Sequence, residues 1–246
     1  RKRMEAGFTF LKMDLGIDLL SHIPGALCAP TGMLAQWDPL RAAPSREEPR
    51  SVGWYHARSR ALETQNVAHP FTGIQITPAG LEFLEGYVAG VRDVIGYEVP
   101  LALDHFGHIG LGECIRLCRM LEKYNIAWVE DMVPWQYTDQ YVRLQSATSI
   151  PVCTGEDIYL KENFRPLLES GGVSVIHPDV LTAGGILELK KIGDMAGEYG
   201  VAMAVHMAES PVGCMAAAHV CAATENFMAL EFHSQDCPWW NDIVSG

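Results

Sequence analysis

From about residue 79 onward, short β-rich apolar runs alternate with amphipathic helical patterns. The runs are 99–103, 126–129, 150–153, 173–176, 201–205 and 227–230, and residues 8–11 read as one more. Between them, Leu81, Leu84, Val88, Val91 and Ile95 step by three and four residues, which is one helix face. Cys114, Leu117, Cys118 and Leu121 do the same, as do Ile186, Leu189, Ile192 and Ala196. Strand and helix alternating at this pace mean βα units and a parallel sheet, so the fold class is α/β with seven predicted strands. A chain of 246 residues fits one barrel-sized domain. With 48% hydrophobic and 20% charged residues it is globular rather than disordered.

Residues 15–78 break the rhythm. They hold seven prolines, Trp37, Trp54 and a run of charges at 45–50. An insertion of that length in a compact domain reads as an active-site lid or as a surface excursion.

The strand ends carry the chemistry. One run ends in Asp104, the next in Glu130, and Glu156 follows the third, at two equal spacings of 26 residues. Equal spacing predicts three carboxylates at one level of the rim where a parallel barrel gathers its functional groups. Singly, each is as well explained as a solvated loop residue or a helix cap. Together they repel one another unless a cation sits among them. An all-oxygen set favours Mg²⁺ over Zn²⁺. The next strands run into Asp179 and His206, which predicts a carboxylate–imidazole pair with the histidine as general base. The last strand ends at Glu231. Near the chain's start, Lys12 and Asp14 stand two apart on one strand face.

In their order, Lys12, Asp104, Glu130, Glu156, Asp179, His206 and Glu231 resemble the enolase superfamily, and within it the mandelate racemase/muconate lactonizing enzyme group. The surrounding text at 128–131, 154–156 and 178–185 is also similar. The resemblance implies a TIM-type (β/α)₇β barrel. Asp104, Glu130 and Glu156 would hold Mg²⁺, and His206, oriented by Asp179, would be the acid/base. Lys12 would face the substrate carboxylate, and Glu231 would hydrogen-bond the substrate or its enediolate. It implies proton abstraction next to a carboxylate, and often a homo-oligomer.

Three departures shape the expectation. Asp14 stands where racemases of the group carry a second lysine. The first barrel strand and the capping α+β domain are not in the chain, which also lacks a start Met, so coding sequence upstream is expected. Phe106 stands where some dehydratases place an acid histidine, leaving His105 and His108 as candidates. One clear base suits dehydration of an acid sugar to a 2-keto-3-deoxy acid. Racemisation, epimerisation, cycloisomerisation, and a non-catalytic or truncated barrel that only binds ligand remain as alternatives. The net charge of −12 disfavours nucleic acid and acidic membrane surfaces as partners. Seven cysteines without a CxxC, behind an opening with no apolar signal segment, fit a reducing cytoplasm.

Overall fold

A computed structural model describes residues 2–20, 23–28, 74–104, 109–234 and 237–244. After a short helix α1 (Lys2–Glu5), the sheet strands are β1 (Leu11–Asp14), β4 (Leu101–Asp104), β5 (Val129–Glu130), β6 (Val152–Thr154), β7 (Val175–Ile176), β8 (Ala202–Val205) and β9 (Phe227–Leu230). They form one seven-stranded sheet in that order, each pair parallel. The remaining pair, β2 (Leu27–Cys28) and β3 (Gln75–Ile76), is antiparallel. The helices between sheet strands are α2 (Pro78–Ile95), α3 (Leu111–Leu121), α4 (Thr138–Gln145), α5 (Leu160–Ser170), α6 (Ile186–Glu198) and α7 (Pro211–Ala222).

The pleat sorts the side chains into two cores. Leu101, Leu103, Val129, Val152, Ile176, Met203 and Val205 face outward and join the helices in the main core. The alternate positions face inward: Ala102, Trp128, Cys153, Val175 and Ala204 make a separate cluster, with Phe10 and Ala229 packed on it. Small residues let the sheet curl, and Trp128 fills the space they leave. Its ring lies 4.8 Å from that of Phe10. Strands β1 and β9 are the two edges of the curled sheet. Across the seam Phe8 stacks on Phe232 at 6.2 Å, beside a cavity of about 410 Å³ that reaches Lys12, Trp128 and His177.

Helix starts follow local chemistry. Thr77 caps α2, its hydroxyl accepting from the Gly80 N–H at 3.2 Å, with Pro78 in the first turn. Ser210 caps α7 in the same way, ahead of Pro211. The predicted α2 face is confirmed: Leu84, Val88 and Ile95 are buried, with Leu81 and Val91 packed against the core.

Three expectations are corrected. The first predicted strand, 8–11, is displaced to Leu11–Asp14, because the ladder begins where the Leu11 N–H reaches the Pro100 carbonyl at 3.0 Å. Ile186 is exposed, since it starts α6 before the helix settles onto the sheet. The ends of the 15–78 segment belong to the core rather than to a loop: Leu15, Ile17, Leu20, Ala26, Ile74 and Ile76 are buried, and β2 and β3 tie them together. The lid expectation, with Trp37 and Trp54, lies outside the described residues.

Arg92 locks this scaffold together. Its buried guanidinium donates to four backbone carbonyls, those of Tyr124 (2.9 Å), Gly96 (3.1 Å), Val99 (2.8 Å) and Asn125 (2.7 Å). It thus fixes the end of α2 and the entry to β4. Arg92→Met keeps the stem but orphans these acceptors. A stability loss of about 2–4 kcal/mol is expected in urea unfolding, from lost charge-assisted bonds partly replaced by water. A loss below ~1 kcal/mol would show the carbonyls to be satisfied otherwise.

Candidate active site

The inward pleat that builds the inner core places the polar layer above it. Two residues beyond Phe10 stands Lys12; beyond Ala102, Asp104; beyond Trp128, Glu130; beyond Val175, His177; beyond Ala204, His206; beyond Ala229, Glu231. Each pair shares a strand face, so one parity assigns packing below and chemistry above.

Asp104 and Glu130 end their strands as register partners. Both are buried. Glu156 is not in that register, which corrects the equal-level expectation. The partner of Glu130 on β6 is Cys153, and Glu156 lies three residues further on, in the turn. Gly155 makes the detour possible. It has φ 154°, and a Cβ there would lie 2.8 Å from the His177 backbone nitrogen. With that approach, oxygens of Asp104, Glu130 and Glu156 come within 4.8 Å of one another.

Lys12 stands against this cluster. Its Nζ donates to Glu130 Oε1 at 2.9 Å and Asp104 Oδ2 at 3.3 Å, and lies 3.2 Å from Glu231 Oε1. Burial opposes its charge, but Glu130, Asp104, Glu231 and Glu156 outweigh it and raise its pKa well above the ordinary value. The other oxygen of Glu130 accepts from the Trp128 indole N–H at 2.8 Å. Asp104 Oδ1 is buried with no hydrogen-bond partner. Burial drives the Asp104 carboxyl well above its ordinary range, against the pull of Lys12.

Asp179 and His206 meet as a parallel bridge between their strands. Nδ1 of the ring lies 2.8 Å from Asp179 Oδ2. The other oxygen of Asp179 accepts from the Leu181 and Thr182 N–H groups at 2.6 and 3.2 Å, so the carboxylate is fixed at both ends. Nε2 of His206 points inward, 3.3 Å from Glu156 Oε2 and 3.5 Å from Glu231 Oε2. Burial works against the imidazolium, but the Asp179 bond and the charges of Glu156 and Glu231 bring its pKa up to about 9. Burial also raises Glu156, to about 7, aided by Asp104 and Glu130 and opposed by His206.

The structure therefore brings Lys12, Asp104, Glu130, Glu156, Asp179, His206 and Glu231 to one rim. Asp14 ends β1 opposite Asp104 and is exposed. Phe106, His105 and His108 lie outside the described residues. Sequence reasoning missed His177, which is buried against Trp128 at 5.9 Å and His206 at 5.6 Å between ring centres. It also missed Asp131, which holds a left-handed φ of 46° and accepts from the Thr154 hydroxyl at 2.6 Å. The inward parity was the available signal for His177; Asp131 stood inside the family-like stretch 128–131 without being assigned a role.

The family model described as enolase C-terminal domain-like matches residues 57–246. The chain belongs to that family. It is a mandelate racemase-like member of the enolase superfamily, as its relatives are. It is 39% identical over 158 residues to a D-xylonate dehydratase of Haloferax volcanii, covering 64% of this chain and 38% of that one. It is 35% identical over 155 residues to a D-galactonate dehydratase of Variovorax paradoxus, covering 63% and 41%. A solved mandelate racemase/muconate lactonizing enzyme-like protein from Rubrobacter xylanophilus superposes with a TM-score of 0.67 at 38% identity, covering 69% of this chain and 43% of that one. The chain thus spans about two fifths of the length of the curated relatives it matches. Among the described residues of this enolase-family chain, no helix is long and apolar enough to cross a membrane.

In this enolase-family rim, Gly155 decides where Glu156 stands. Gly155→Ala forces its Cβ into the backbone of residues 177–178. A loss of about 1–3 kcal/mol is expected from overpacking that rotamer changes cannot relieve. Thermal or urea unfolding against wild type checks it, and an unchanged midpoint would mean that the turn can shift without loss.

Proposed function

We propose that the complete enzyme dehydrates an acid sugar to a 2-keto-3-deoxy acid, using a divalent metal and a single acid/base. The observation that carries this reading is the His206–Asp179 pair, whose Nε2 faces a three-carboxylate cluster from one side, 3.3 Å from Glu156 Oε2. The dehydratase relatives support the same class of reaction.

The cluster fits a hard cation. Asp104 Oδ1 is buried without a partner, and the Lys12 ammonium already lies against two of the three carboxylates. Asp104, Glu130 and Glu156 would hold Mg²⁺, an ion suited to an all-oxygen donor set. When bound, the ion supplies positive charge against the negative charge that develops on a substrate carboxylate as its α-proton leaves.

The chain's own groups do the rest. Lys12 adds a fixed positive charge beside the substrate carboxylate. Asp179 holds the His206 ring in one orientation and favours the imidazolium once a proton arrives. In the neutral form of the ring, Nε2 of His206 takes the α-proton, then returns it to the β-hydroxyl, which leaves as water; the enol left behind becomes the 2-keto acid. Glu231 accepts hydrogen bonds from the substrate side and from the Met207 N–H, 3.2 Å away, which fixes its position. The single-base reading is favoured over racemisation because position 14 is an aspartate, not a second lysine.

The direct test is a panel of acid sugars with the full-length protein and Mg²⁺, read by 2-keto acid formation. Turnover of one or more of them is expected, and racemisation without keto acid would overturn the reading. His206→Asn is expected to lower turnover by about 10²–10⁴-fold or more, since it removes both base and acid. Metal affinity should hardly change, and near-normal turnover would refute the one-base mechanism. Glu156→Gln should instead abolish most of the Mg²⁺-induced rise in melting temperature. That rise should correspond to about 2.7 kcal/mol at a hundredfold excess over the dissociation constant in wild type. A wild-type protein that melts identically with Mg²⁺ and with chelator would sink the metal assignment.

A further inference from the structure

Beside the oxygen cluster lies a second donor set of different character. Glu130 and Cys153 stand on β5 and β6 and His177 directly follows β7, and one donor atom from each comes within 4.8 Å of the others. All three are buried, with 0%, 0% and 2% exposure. Cys153 is the register partner of Glu130 and faces inward, in the layer of Trp128 and Val175.

The unusual member is His177. Both ring nitrogens are buried and neither has a hydrogen-bond partner. Its Nε2 is 3.6 Å from Glu130 Oε1 and 3.7 Å from Glu231 Oε2, too far for hydrogen bonds. A buried imidazole normally satisfies at least one nitrogen, so these orphaned atoms need an explanation. A thiol, an imidazole and a carboxylate around a small volume are the donors that borderline-soft divalent ions choose, whereas Mg²⁺ takes oxygen. Tetrahedral zinc with bonds of about 2.0–2.3 Å holds its ligand atoms roughly 3.3–3.8 Å apart. From the 4.8 Å that bounds their separations, the three donors therefore need to close by at most about 1.5 Å. Of the three donors, His177 lines the seam cavity.

We propose that Glu130, Cys153 and His177 form a second metal site, selective for Zn²⁺-like ions and distinct in chemistry from the all-oxygen cluster. The Cys153 thiol gives up its proton to solvent on binding, and the thiolate, imidazole and carboxylate leave a fourth position for water. Because Glu130 belongs to both sets, an ion held there withdraws an oxygen from the Mg²⁺ cluster. Zinc at this site would thus act as a metal antagonist of the enzyme. Glu130 is common to both sets, but Cys153 and His177 belong to this one alone, so the antagonism rests on the dehydratase reading while the site itself does not.

The test reads coordination rather than turnover, so failure of the dehydratase reading and failure of this site are separable. Full-length protein is stripped with chelator and loaded with one equivalent of Zn²⁺ or Co²⁺. X-ray absorption of the zinc form should show one sulfur at about 2.3 Å with nitrogen and oxygen neighbours. The cobalt form should show a near-ultraviolet thiolate charge-transfer band. Cys153→Ala should remove the sulfur and the band and weaken Zn²⁺ binding by roughly 100-fold. Asp104→Asn should retain the band. A shell of only nitrogen and oxygen in wild type overturns the proposal, as does a sulfur signal that survives in Cys153→Ala. If Cys153→Ala does not fold, His177→Gln replaces it: the imidazole contribution should vanish, and an unchanged spectrum overturns the site.

Discussion

The two-residue pleat of the parallel strands is the constraint on which the rest of this molecule depends. Six inward positions that pack the barrel's interior are each followed, two residues later, by a polar group of the rim. The packing layer is small where it must be. Alanines at 102, 204 and 229 leave room for one large side chain, and Trp128 takes it. A one-residue slip in any strand would exchange a rim group for an outward-facing leucine, valine or isoleucine and lose both layers together. Stability of the inner core and geometry of the rim are therefore set by the same register.

The second constraint is electrostatic. Asp104, Glu130, Glu156 and Glu231 crowd a space with little water, and such groups stay ionised only beside positive charge. Lys12 answers three of them, and His206 lies against the other and Glu231. The partition is uneven. Glu231 is drawn far below its ordinary range: burial opposes this, but His177, His233 and Lys12 outweigh it. Asp104 and Glu156 are instead pushed up, because burial and neighbouring carboxylates prevail. The groups that resist ionisation are the ones that a divalent cation would relieve most.

Much of this was legible in the sequence, for physical reasons that differ between residues. Asp104, Glu130, His206 and Glu231 were readable because each closes an apolar run, and strand ends in a parallel sheet share one rim. Glu156 was found through an equal spacing that does not survive: the ladder places Cys153 opposite Glu130. Glu156 enters only through a turn that Gly155 permits. The apolar runs began earlier than the strands because Ile126 and Ile150 are buried in the approach to the sheet, ahead of its ladder. His177 escaped notice because it precedes Pro178 and Asp179, whose own pattern drew attention. Cys153 read as an ordinary core residue, which by packing it is.

Glu130 is where these layers meet. Its Oε1 accepts from Lys12 on the rim, while its Oε2 accepts from the indole of Trp128, two residues below and part of the inner core. The tryptophan that fills the barrel therefore also aims the glutamate. On either side stand different donors: Asp104 and Glu156 as oxygen, Cys153 and His177 as sulfur and nitrogen. A carboxylate held at both oxygens cannot turn toward one set without straining a bond that belongs to the other. The orientation of Glu130, and with it the choice between the two donor sets, is thus set as much by the indole beneath it as by the carboxylates around it.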